Sequence, residues 1–288
     1  MTELAPNAPT GIELYTRAAE SAASAVIATY STSFSAAVRF LAIDYRQHVA
    51  NIYALVRVAD EIVDGSAAEA GANSAKILDE LEAEVYAAIK SRYSANLIVH
   101  AFANTANFAG IGKDLIEPFF HSMRMDLTEK KHDQKSFEEY IYGSAEVIGL
   151  MCLNLFLVGE SRTDSERATL VAGARALGSA FQKVNFLRDL AADQEGLGRS
   201  YFPNLNPKRL TNAQRDQLVA DIRSELSLAE QTLTLLPKGA RRAVAAAHHL
   251  FQALNDKIAV TDAAEIMAKR IRVNDFQKAL IATKVMLR

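Results

Sequence analysis

Residues 45–64 read YRQHVANIYALVRVADEIVD, and this stretch decides the fold class. Its apolar side chains recur at steps of three and four, the spacing that places them on one face of an α-helix. They are Val49, Ile52, Val56, Ala59 and Val63. A polar stripe follows one residue further along, about 100° of helix rotation away. It consists of Tyr53, Arg57, Asp60 and Asp64. The pattern predicts a largely buried helix whose polar stripe borders its apolar one.

Asp60 and Asp64 lie one helical turn apart, so both carboxylates can reach one small cation. Without a cation the two charges repel each other. A solvated helix face also carries such acidic pairs, and the pair alone does not separate the two interpretations. The nearby Arg57 and Tyr53, on a helix otherwise rich in Ile, Val and Ala, favour a functional pair.

Residues 178–193, GSAFQKVNFLRDLAAD, repeat this arrangement. One face of the predicted helix carries Gln182, Asn185, Asp189 and Asp193. Amide and carboxylate oxygens are the hard ligands that Mg²⁺ prefers, and Mg²⁺ commonly completes its shell with waters and substrate phosphates. Gly173 and Gly178 in the same helix have two interpretations, close helix packing or room for a substrate, and both stay open.

Helical periodicity continues along almost the whole chain, and the alternation typical of strands does not occur,. We therefore predict an all-α fold with a single domain at 11–288 and a loose tail at 1–10. Predicted helices cover 12–29, 45–64, 74–91, 95–108, 113–127, 136–158, 164–194, 213–235, 239–267 and 274–286. Among their ends, Asp44 is a candidate N-cap, Gly65 a helix stop, and Thr163 with Glu166 a capping box.

Composition excludes several functional classes. The net charge is −2, without the basic excess of a nucleic-acid-binding protein,. The single cysteine, Cys152, excludes an internal disulfide and a cysteine zinc site, and we expect it to be a buried small hydrophobe,. The N-terminus lacks a signal-peptide pattern, and the longest apolar run, 147–158, is too short to span a bilayer. We expect a cytoplasmic protein, with peripheral membrane contact left open.

Two such polar faces, opposite each other in a helical bundle, would form a cage for a polyanion bridged by metal. A diphosphate leaving group suits this chemistry, because the metal neutralises the departing charge. Surrounding apolar helices would shield an allylic cation from water. No Gly-rich dinucleotide loop is present, so we expect no nicotinamide cofactor.

Four segments resemble the squalene and phytoene synthases. RVADEIVDG at 57–65 and FQKVNFLRDLAADQEGLGRSYFP at 181–203 resemble the two aspartate-rich motifs of that family. YSTSF at 30–34 resembles its diphosphate-side flap, and IYGSAEVIGLMC at 141–152 its tunnel-lining helix. The resemblance runs from about residue 15 to about residue 285 and looks closest to bacterial phytoene synthases of the actinobacterial type.

The resemblance implies an isoprenoid-synthase helical bundle with a central cavity, and a role for each matching residue. Mg²⁺, with Mn²⁺ as a substitute, would be held by Asp60, Asp64, Asn185, Asp189 and Asp193. The diphosphates would be contacted by Arg57, Arg188, Arg199, Tyr201, Arg270 and Lys278. Near the reacting carbons would lie Tyr53, Ser31, Ser33 and Gln182. The tunnel would be lined by Tyr140, Ala145 and Gly149, with Val38 and Ala50 at its blind end.

At three positions the chain departs from the family pattern. Glu146 stands where Gly is common, Tyr30 where His is common, and Lys183 is more typical of squalene synthases than of many phytoene synthases. The roles of these three side chains stay open.

The activity that the resemblance implies is the head-to-head condensation of two geranylgeranyl diphosphates to phytoene, through a cyclopropyl diphosphate. One alternative is the same chemistry on farnesyl diphosphate, which gives presqualene diphosphate, dehydrosqualene or squalene. A second alternative is a non-catalytic helical assembly factor. The partners expected are prenyl diphosphate substrates, and no nucleic acid.

Overall fold

The structure is a computed structural model that describes residues 9–31, 37–129, 131–196, 201–203, 205–206 and 209–273, without the side chains of 192–196. The described residues are predominantly helical and contain no strand, which confirms the all-α prediction. None of the helices described is long and apolar enough to cross a membrane.

The helices follow the predicted periodicity closely, and most ends agree within two residues. They are α1 (Gly11–Tyr30), α2 (Ile43–Asp64), α3 (Ser66–Glu69), α4 (Ser74–Ser91), α5 (Leu97–Ala109), α6 (Lys113–Thr128), α7 (Gln134–Ile141), a π-helical turn (Tyr142–Glu146), α8 (Val147–Phe156), α9 (Asp164–Gly196), α10 (Asn212–Thr232), a 3₁₀ turn (Leu233–Leu235), α11 (Lys238–Val260) and α12 (Ala263–Ile266). The predicted helix at 274–286 lies outside the described residues.

Helix caps differ from the prediction at one end of α2. The N-cap is Ala42, which makes no side-chain cap, and Asp44 lies inside the first turn. The prediction of Asp44 as the cap was wrong because the helix starts two residues earlier; the carboxylate still suits the positive end of the helix dipole. Gly65 follows α2 as predicted, and the Thr163 and Glu166 side chains bond reciprocally to each other's backbone N–H groups.

The N-terminal tail reaches less far than predicted. Thr10, which was assigned to the tail, is the N-cap of α1: its hydroxyl accepts from the Glu13 N–H while the Glu13 carboxylate accepts from the Thr10 N–H. Residues 1–8 lie outside the described part of the chain.

Two predicted long helices are interrupted. The helix predicted at 136–158 contains the π-helical turn, where Gly143 packs so tightly on α6 that a Cβ there would lie 2.1 Å from the Pro118 carbonyl oxygen. The Ser122 hydroxyl on α6 donates to the Tyr140 carbonyl at 3.1 Å, which supplies a partner beside the widened turn. The helix predicted at 239–267 stops at Val260, because Thr261 is extended and α12 starts anew.

Two apolar cores flank the middle of the bundle. The larger one packs α2, α4, α5, α6 and α8 around fully buried side chains such as Phe102 and Phe119. The smaller one packs α7, α9, α10 and α11 around Val184, Leu187 and Ile222. An open space remains between α2 on one side and α9 on the other, and this space contains the candidate site.

Candidate active site between two polar helix faces

The space between α2 and α9 is an apolar cavity with an empty volume of about 1230 Å³, part of it open to solvent. Val49 and Val56 of α2 form one wall, and α9 contributes the facing wall from Leu170 to Gln182. Helices α8, α10 and α11 close the remaining sides. The cavity is therefore suited to hydrocarbon rather than to a polar ligand.

On both helices the polar residues follow directly after the stretch that lines the cavity. Asp60 lies one turn beyond Val56, and Asn185 lies one turn beyond Gln182. Tyr140 connects these two faces. Its ring lies 6.1 Å from the Phe186 ring of α9. Its pKa is raised first by burial, then by Asp126, and also by the charge of Asp64 on α2. The cavity thus ends between the two predicted carboxylate faces.

The face on α2 holds two carboxylates in unequal surroundings. Asp60 is half-buried and Asp64 is exposed. Burial, and then the neighbouring charge of Asp64, raise the pKa of Asp60 to about 7,. The Arg57 guanidinium bonds to Glu61 and lies over the Tyr30 ring at 4.3 Å from its centroid. Because two acids share this face, a bound cation would relieve their repulsion.

Tyr53 and Ser31 complete the α2 side. Both are half-buried. Burial raises the pKa of the Tyr53 phenol, and a hydrogen bond with the Ser31 side chain acts in the opposite direction. Ser31 is the C-cap of α1, so the end of α1 meets the polar stripe of α2. The structure therefore brings together these two residues, which the sequence analysis placed near the reacting carbons.

The face on α9 is held by two arginines. Asp189 bonds to the adjacent Arg188 and pairs with Arg270 at 2.7 Å. The backbone N–H of Ile271 donates to the Arg188 carbonyl at 3.4 Å, so the segment after α12 lies across this face. Arg270, 81 residues away from Asp189 in sequence, is thereby brought to the predicted site.

The donor set on the two faces fits a hard divalent cation. Asn185 has a buried Oδ1 with no hydrogen-bond partner, and Asp60 carries a carboxylate whose charge is disfavoured in the folded protein. All the predicted ligands offer oxygen, as Mg²⁺ requires. Among the residues described, no group of three His, Cys, Asp or Glu side chains is already gathered for a metal. The Asp193 side chain lies outside the description.

The family model for squalene/phytoene synthase matches residues 27–277.

The chain belongs to the squalene/phytoene synthase family.

Curated relatives of this squalene/phytoene synthase family member include plant enzymes. The chain is 32% identical over 178 residues to "Phytoene synthase 3, chloroplastic" of Zea mays, which covers 60% of this chain and 40% of the relative. It is 28% identical to "Phytoene synthase, chloroplastic" of Narcissus pseudonarcissus over 282 aligned residues. This alignment covers 90% of this chain and 62% of the relative. The chain thus spans less than two thirds of the length of these relatives.

Solved structures share the fold of this family member. A dehydrosqualene synthase in complex with ligand has a TM-score of 0.76 at 20% identity, over 95% of this chain and 97% of that one. The squalene synthase HpnC of Alicyclobacillus acidocaldarius has a TM-score of 0.73 at 16% identity, over 90% and 97%. The isoprenoid-synthase bundle expected from the sequence is confirmed.

Within this family fold, the predicted wall residues divide into two groups. Val38, Ala145 and Gly149 line the cavity, as does Gln182, which was predicted to lie near the reacting carbons. Ala50 does not: Val49 and Ala50 are both buried at 4% exposure, and of the two only Val49 lines the cavity. One residue is about 100° of rotation, which is enough to turn a side chain from the cavity into the core.

Tyr140 is likewise placed away from the cavity wall. It is 3% exposed, and its hydroxyl donates to Asp126 at 3.0 Å. Its ring belongs to an aromatic cluster in which Tyr201, a predicted diphosphate contact, stacks on Phe186 at 3.9 Å. Asp126 was missed in the sequence analysis, although an acid between Met125 and Leu127 on a helix with an apolar face was a usable signal.

Two glycines of α9, Gly173 and Gly178, approach neighbouring helices closely and also line the cavity. A Cβ on Gly178 would lie 2.6 Å from the Ala145 carbonyl oxygen, and one on Gly173 would lie 2.2 Å from the Thr232 hydroxyl. The close approaches confirm the packing interpretation. Both residues also line the cavity, and room for a substrate stays a prediction. Cys152 is half-buried on the cavity wall rather than enclosed in the core, and burial raises the pKa of its thiol to about 12.

The three departures from the family pattern all have partners. Glu146 pairs with Arg175 of α9 at 2.5 Å. Lys183 pairs with Glu225 of α10, which also accepts from the Ser179 hydroxyl. Tyr30 lies under Arg57. Glu146 and Lys183 thus join neighbouring helices, and Tyr30 contacts a residue of the predicted site.

Three predicted site residues lie outside the described residues: Ser33, Arg199 and Lys278. Their roles, like that of the Asp193 carboxylate, stay predictions. Glu61, by contrast, is a site neighbour that the sequence analysis missed: it bonds to both Arg57 and Ser66 and so ties the polar face of α2 to the start of α3.

Proposed function

We propose that this chain joins two molecules of geranylgeranyl diphosphate head to head and forms phytoene through a cyclopropyl diphosphate. The observation that carries the proposal is the apolar cavity that ends between two polar helix faces. Such a cavity matches a substrate with a long hydrocarbon tail and a doubly charged head. The names of the plant relatives favour the twenty-carbon substrate.

Mg²⁺, or Mn²⁺ in its place, is proposed to be held by Asp60, Asp64, Asn185, Asp189 and Asp193. When bound, the ion neutralises the diphosphate and makes it a better leaving group. The proposal is supported by the oxygen-only donor set, by the raised pKa of Asp60 and by the bare Asn185 oxygen.

Arginines are proposed to bind the remaining phosphate oxygens. Arg57 lies on the α2 face, and Arg188 and Arg270 lie on the α9 face. A guanidinium offers paired N–H donors that suit phosphate oxygens. In the ligand-free protein these donors are engaged by Glu61 and Asp189, so we expect substrate binding to exchange carboxylate partners for phosphate ones.

The apolar wall protects the reaction from water. In the proposed sequence one diphosphate leaves, and the double bond of the second substrate attacks the allylic cation. Loss of a proton then gives the cyclopropyl diphosphate, and a second ionisation, rearrangement and proton loss give phytoene. These steps consume no hydride, so we propose that no nicotinamide cofactor takes part. Gln182, where the lined stretch of α9 meets its polar face, is proposed to lie beside the reacting carbons.

A second candidate function uses farnesyl diphosphate in the same chemistry. It is favoured by the names of the structural neighbours, a dehydrosqualene synthase and a squalene synthase. The geranylgeranyl tail has five more carbons than the farnesyl tail. Burying them favours geranylgeranyl diphosphate by up to about 4 kcal/mol where the cavity has room, at about 0.8 kcal/mol per methylene.

The test is to incubate the protein with Mg²⁺ and each diphosphate separately, with and without a reduced nicotinamide, and to identify the hydrocarbon. We expect phytoene from geranylgeranyl diphosphate, unchanged by the nicotinamide. A preferred farnesyl product would establish the second candidate, and a product that requires the reduced cofactor would indicate squalene synthesis. No product from either substrate would favour the non-catalytic alternative.

A further inference from the structure

An aromatic side chain lies at each end of the main cavity. Among the described residues that line this cavity, two carry aromatic rings, Phe156 and Phe181. Phe181 directly precedes Gln182 on α9 and therefore belongs to the end where the polar faces lie. Phe156 is the last residue of α8, and it is buried at 6% exposure. Its distance from the polar faces decides whether its ring can limit the length of a bound tail.

Helices α8 and α9 run antiparallel along the cavity. A Cβ on Gly178 would lie 2.6 Å from the Ala145 carbonyl oxygen, and a Cβ on Gly149 would lie 2.6 Å from the Ala174 carbonyl oxygen. Position along α9 thus falls as position along α8 rises. From Ala145 to Phe156 the chain advances about 16 Å, at about 1.5 Å per helical residue. Phe156 therefore lies at the end of the cavity that is remote from both polar faces.

The Phe156 ring is supported from behind. The Tyr45 ring packs edge-on against it with 5.2 Å between the centroids, a geometry that aromatic pairs prefer,. The Tyr45 hydroxyl donates to the Phe156 carbonyl at 3.3 Å. Tyr45 rests in turn on the start of α11, where a Cβ on Gly239 would lie 3.0 Å from its ring. Phe156 therefore presents a fixed surface to the cavity, and Tyr45 behind it does not line the cavity.

A prenyl tail whose head lies between the polar faces extends along the apolar walls toward this ring. Protein interiors are closely packed, so additional carbons at a filled end force side chains or backbone to move. The cost of that overpacking exceeds what burial of the carbons returns when the neighbours cannot give way. A supported aromatic ring at the end of the path is thus suited to exclude tails above a certain length.

We propose that Phe156 sets the upper limit of tail length, so that a 20-carbon tail is accepted and a 25-carbon tail is excluded. The inference rests on the proposed function, because it requires a prenyl diphosphate whose head lies between the polar faces. It assigns the end of α8 a role in substrate specificity.

The test is calorimetric titration of the full chain, in the presence of Mg²⁺, with three thiolodiphosphates that carry farnesyl, geranylgeranyl and geranylfarnesyl tails. Sulfur in place of the bridging oxygen suppresses ionisation, so binding is measured without turnover. We expect the parent to bind the 20-carbon analogue at least about tenfold more tightly than the 25-carbon analogue, the lower end of the usual cost of overpacking.

Opposite changes of size at Phe156 should move the limit in opposite directions. Phe156→Leu should bring the affinity for the 25-carbon analogue to within about threefold of that for the 20-carbon analogue. Phe156→Trp should weaken binding of the 20-carbon analogue by about tenfold relative to the farnesyl analogue. A general loss of stability lowers all three affinities together and does not reorder them.

Phe120→Leu is the matched control, because Phe120 is fully buried in the same apolar core and does not line the cavity. Its order of affinities should be that of the parent, and circular dichroism verifies the fold of each variant. Three results would overturn the proposal: equal binding of the 20-carbon and 25-carbon analogues by the parent, continued exclusion of the 25-carbon analogue by Phe156→Leu, or the same relaxation in Phe120→Leu. Failure of all three analogues to bind the parent would instead refute the proposed function, and this inference with it.

Discussion

Asp60 lies half-buried on α2, one turn before Asp64, and its surroundings raise its pKa to about 7. A carboxylate with an ordinary pKa of 3.8 is thus kept where its charge is costly. A protein gains from such an arrangement when a cation or a cationic ligand occupies the site.

Asp60→Asn or Asp189→Asn should therefore abolish most of the activity. Each substitution keeps the size of the side chain but removes charge proposed to hold the metal, whose contribution of several kcal/mol corresponds to a loss of about 100-fold or more. Product formation at saturating substrate and Mg²⁺ is the measurement, and circular dichroism verifies the fold. Asp114→Asn, on the first turn of α6, is the control. Near-normal turnover in both site variants would remove the metal assignment.

The same Asp60→Asn substitution should make the folded protein more stable in metal-free buffer at pH 8. The folded-state pKa of Asp60 lies above its ordinary value, so its stabilising contribution is fully present below pH 3.8 and is lost as pH rises through about 7,. Asparagine has no charge to bury and escapes this loss. Thermal unfolding of parent and variant decides the point, and a lower midpoint for the variant would contradict it.

At the scale of helices, Val38 and Val49 line the cavity, while Ala50, one residue along α2 and as buried as Val49, does not line it. The two sides of α2 should therefore respond differently to enlargement.

Val38→Phe combined with Val49→Phe should shift the preference from geranylgeranyl toward farnesyl diphosphate. Added bulk on the wall shortens the space for the longer tail, and overpacking of about 1–3 kcal/mol changes which tail binds better. The measurement is competition between the two diphosphates. Ala50→Leu is the matched control. It should lower the unfolding temperature, and its preference between the two diphosphates should remain that of the parent. An unchanged preference in the double variant would show that these side chains do not set chain length.

Gly143→Ala should destabilise the bundle by at least about 1–3 kcal/mol, the usual cost of overpacking. The new Cβ would lie 2.1 Å from the Pro118 carbonyl oxygen, and a backbone atom cannot turn aside as a side chain can. Gly11→Ala in α1 is the control, because nothing lies within 4 Å of its added Cβ. Urea unfolding of both variants measures the difference. Equal stability would mean that the π-helical turn is not held by this contact.

At the scale of the whole molecule, buried histidines couple stability to pH. Burial lowers the pKa of His48, His100 and His248 below the ordinary 6.5. Below pH 6.5 the unfolded chain takes up protons that the folded protein resists, so stability present above pH 6.5 is lost as pH falls toward the folded-state pKa values,.

The unfolding midpoint of the Asp60→Asn variant should therefore fall between pH 7.5 and pH 5. That background is chosen because Asp60 itself acts in the opposite direction over this range. Thermal unfolding across the pH series is the measurement. His248→Gln in the same background should reduce the fall, and a midpoint that rises on acidification would show that other groups dominate.

Local periodicity determined much of this protein. Steps of three and four residues predicted nearly all the helices and both polar faces, because side-chain direction along a helix follows from backbone geometry within one turn. Cap residues such as Thr163 and Glu166 were readable for the same reason. Motif resemblance added the family, which the match over 27–277 confirms.

Only the tertiary structure decided which side chains meet. Asp126 reaches Tyr140, Glu146 reaches Arg175, and Arg270 reaches Asp189 across 81 residues. The break in the predicted helix at 136–158 likewise depends on the carbonyl of Pro118, and the turn of Ala50 into the core depends on the partners of α2. These outcomes are set by how helices pack against one another, and periodicity within one helix carries no information about its partner.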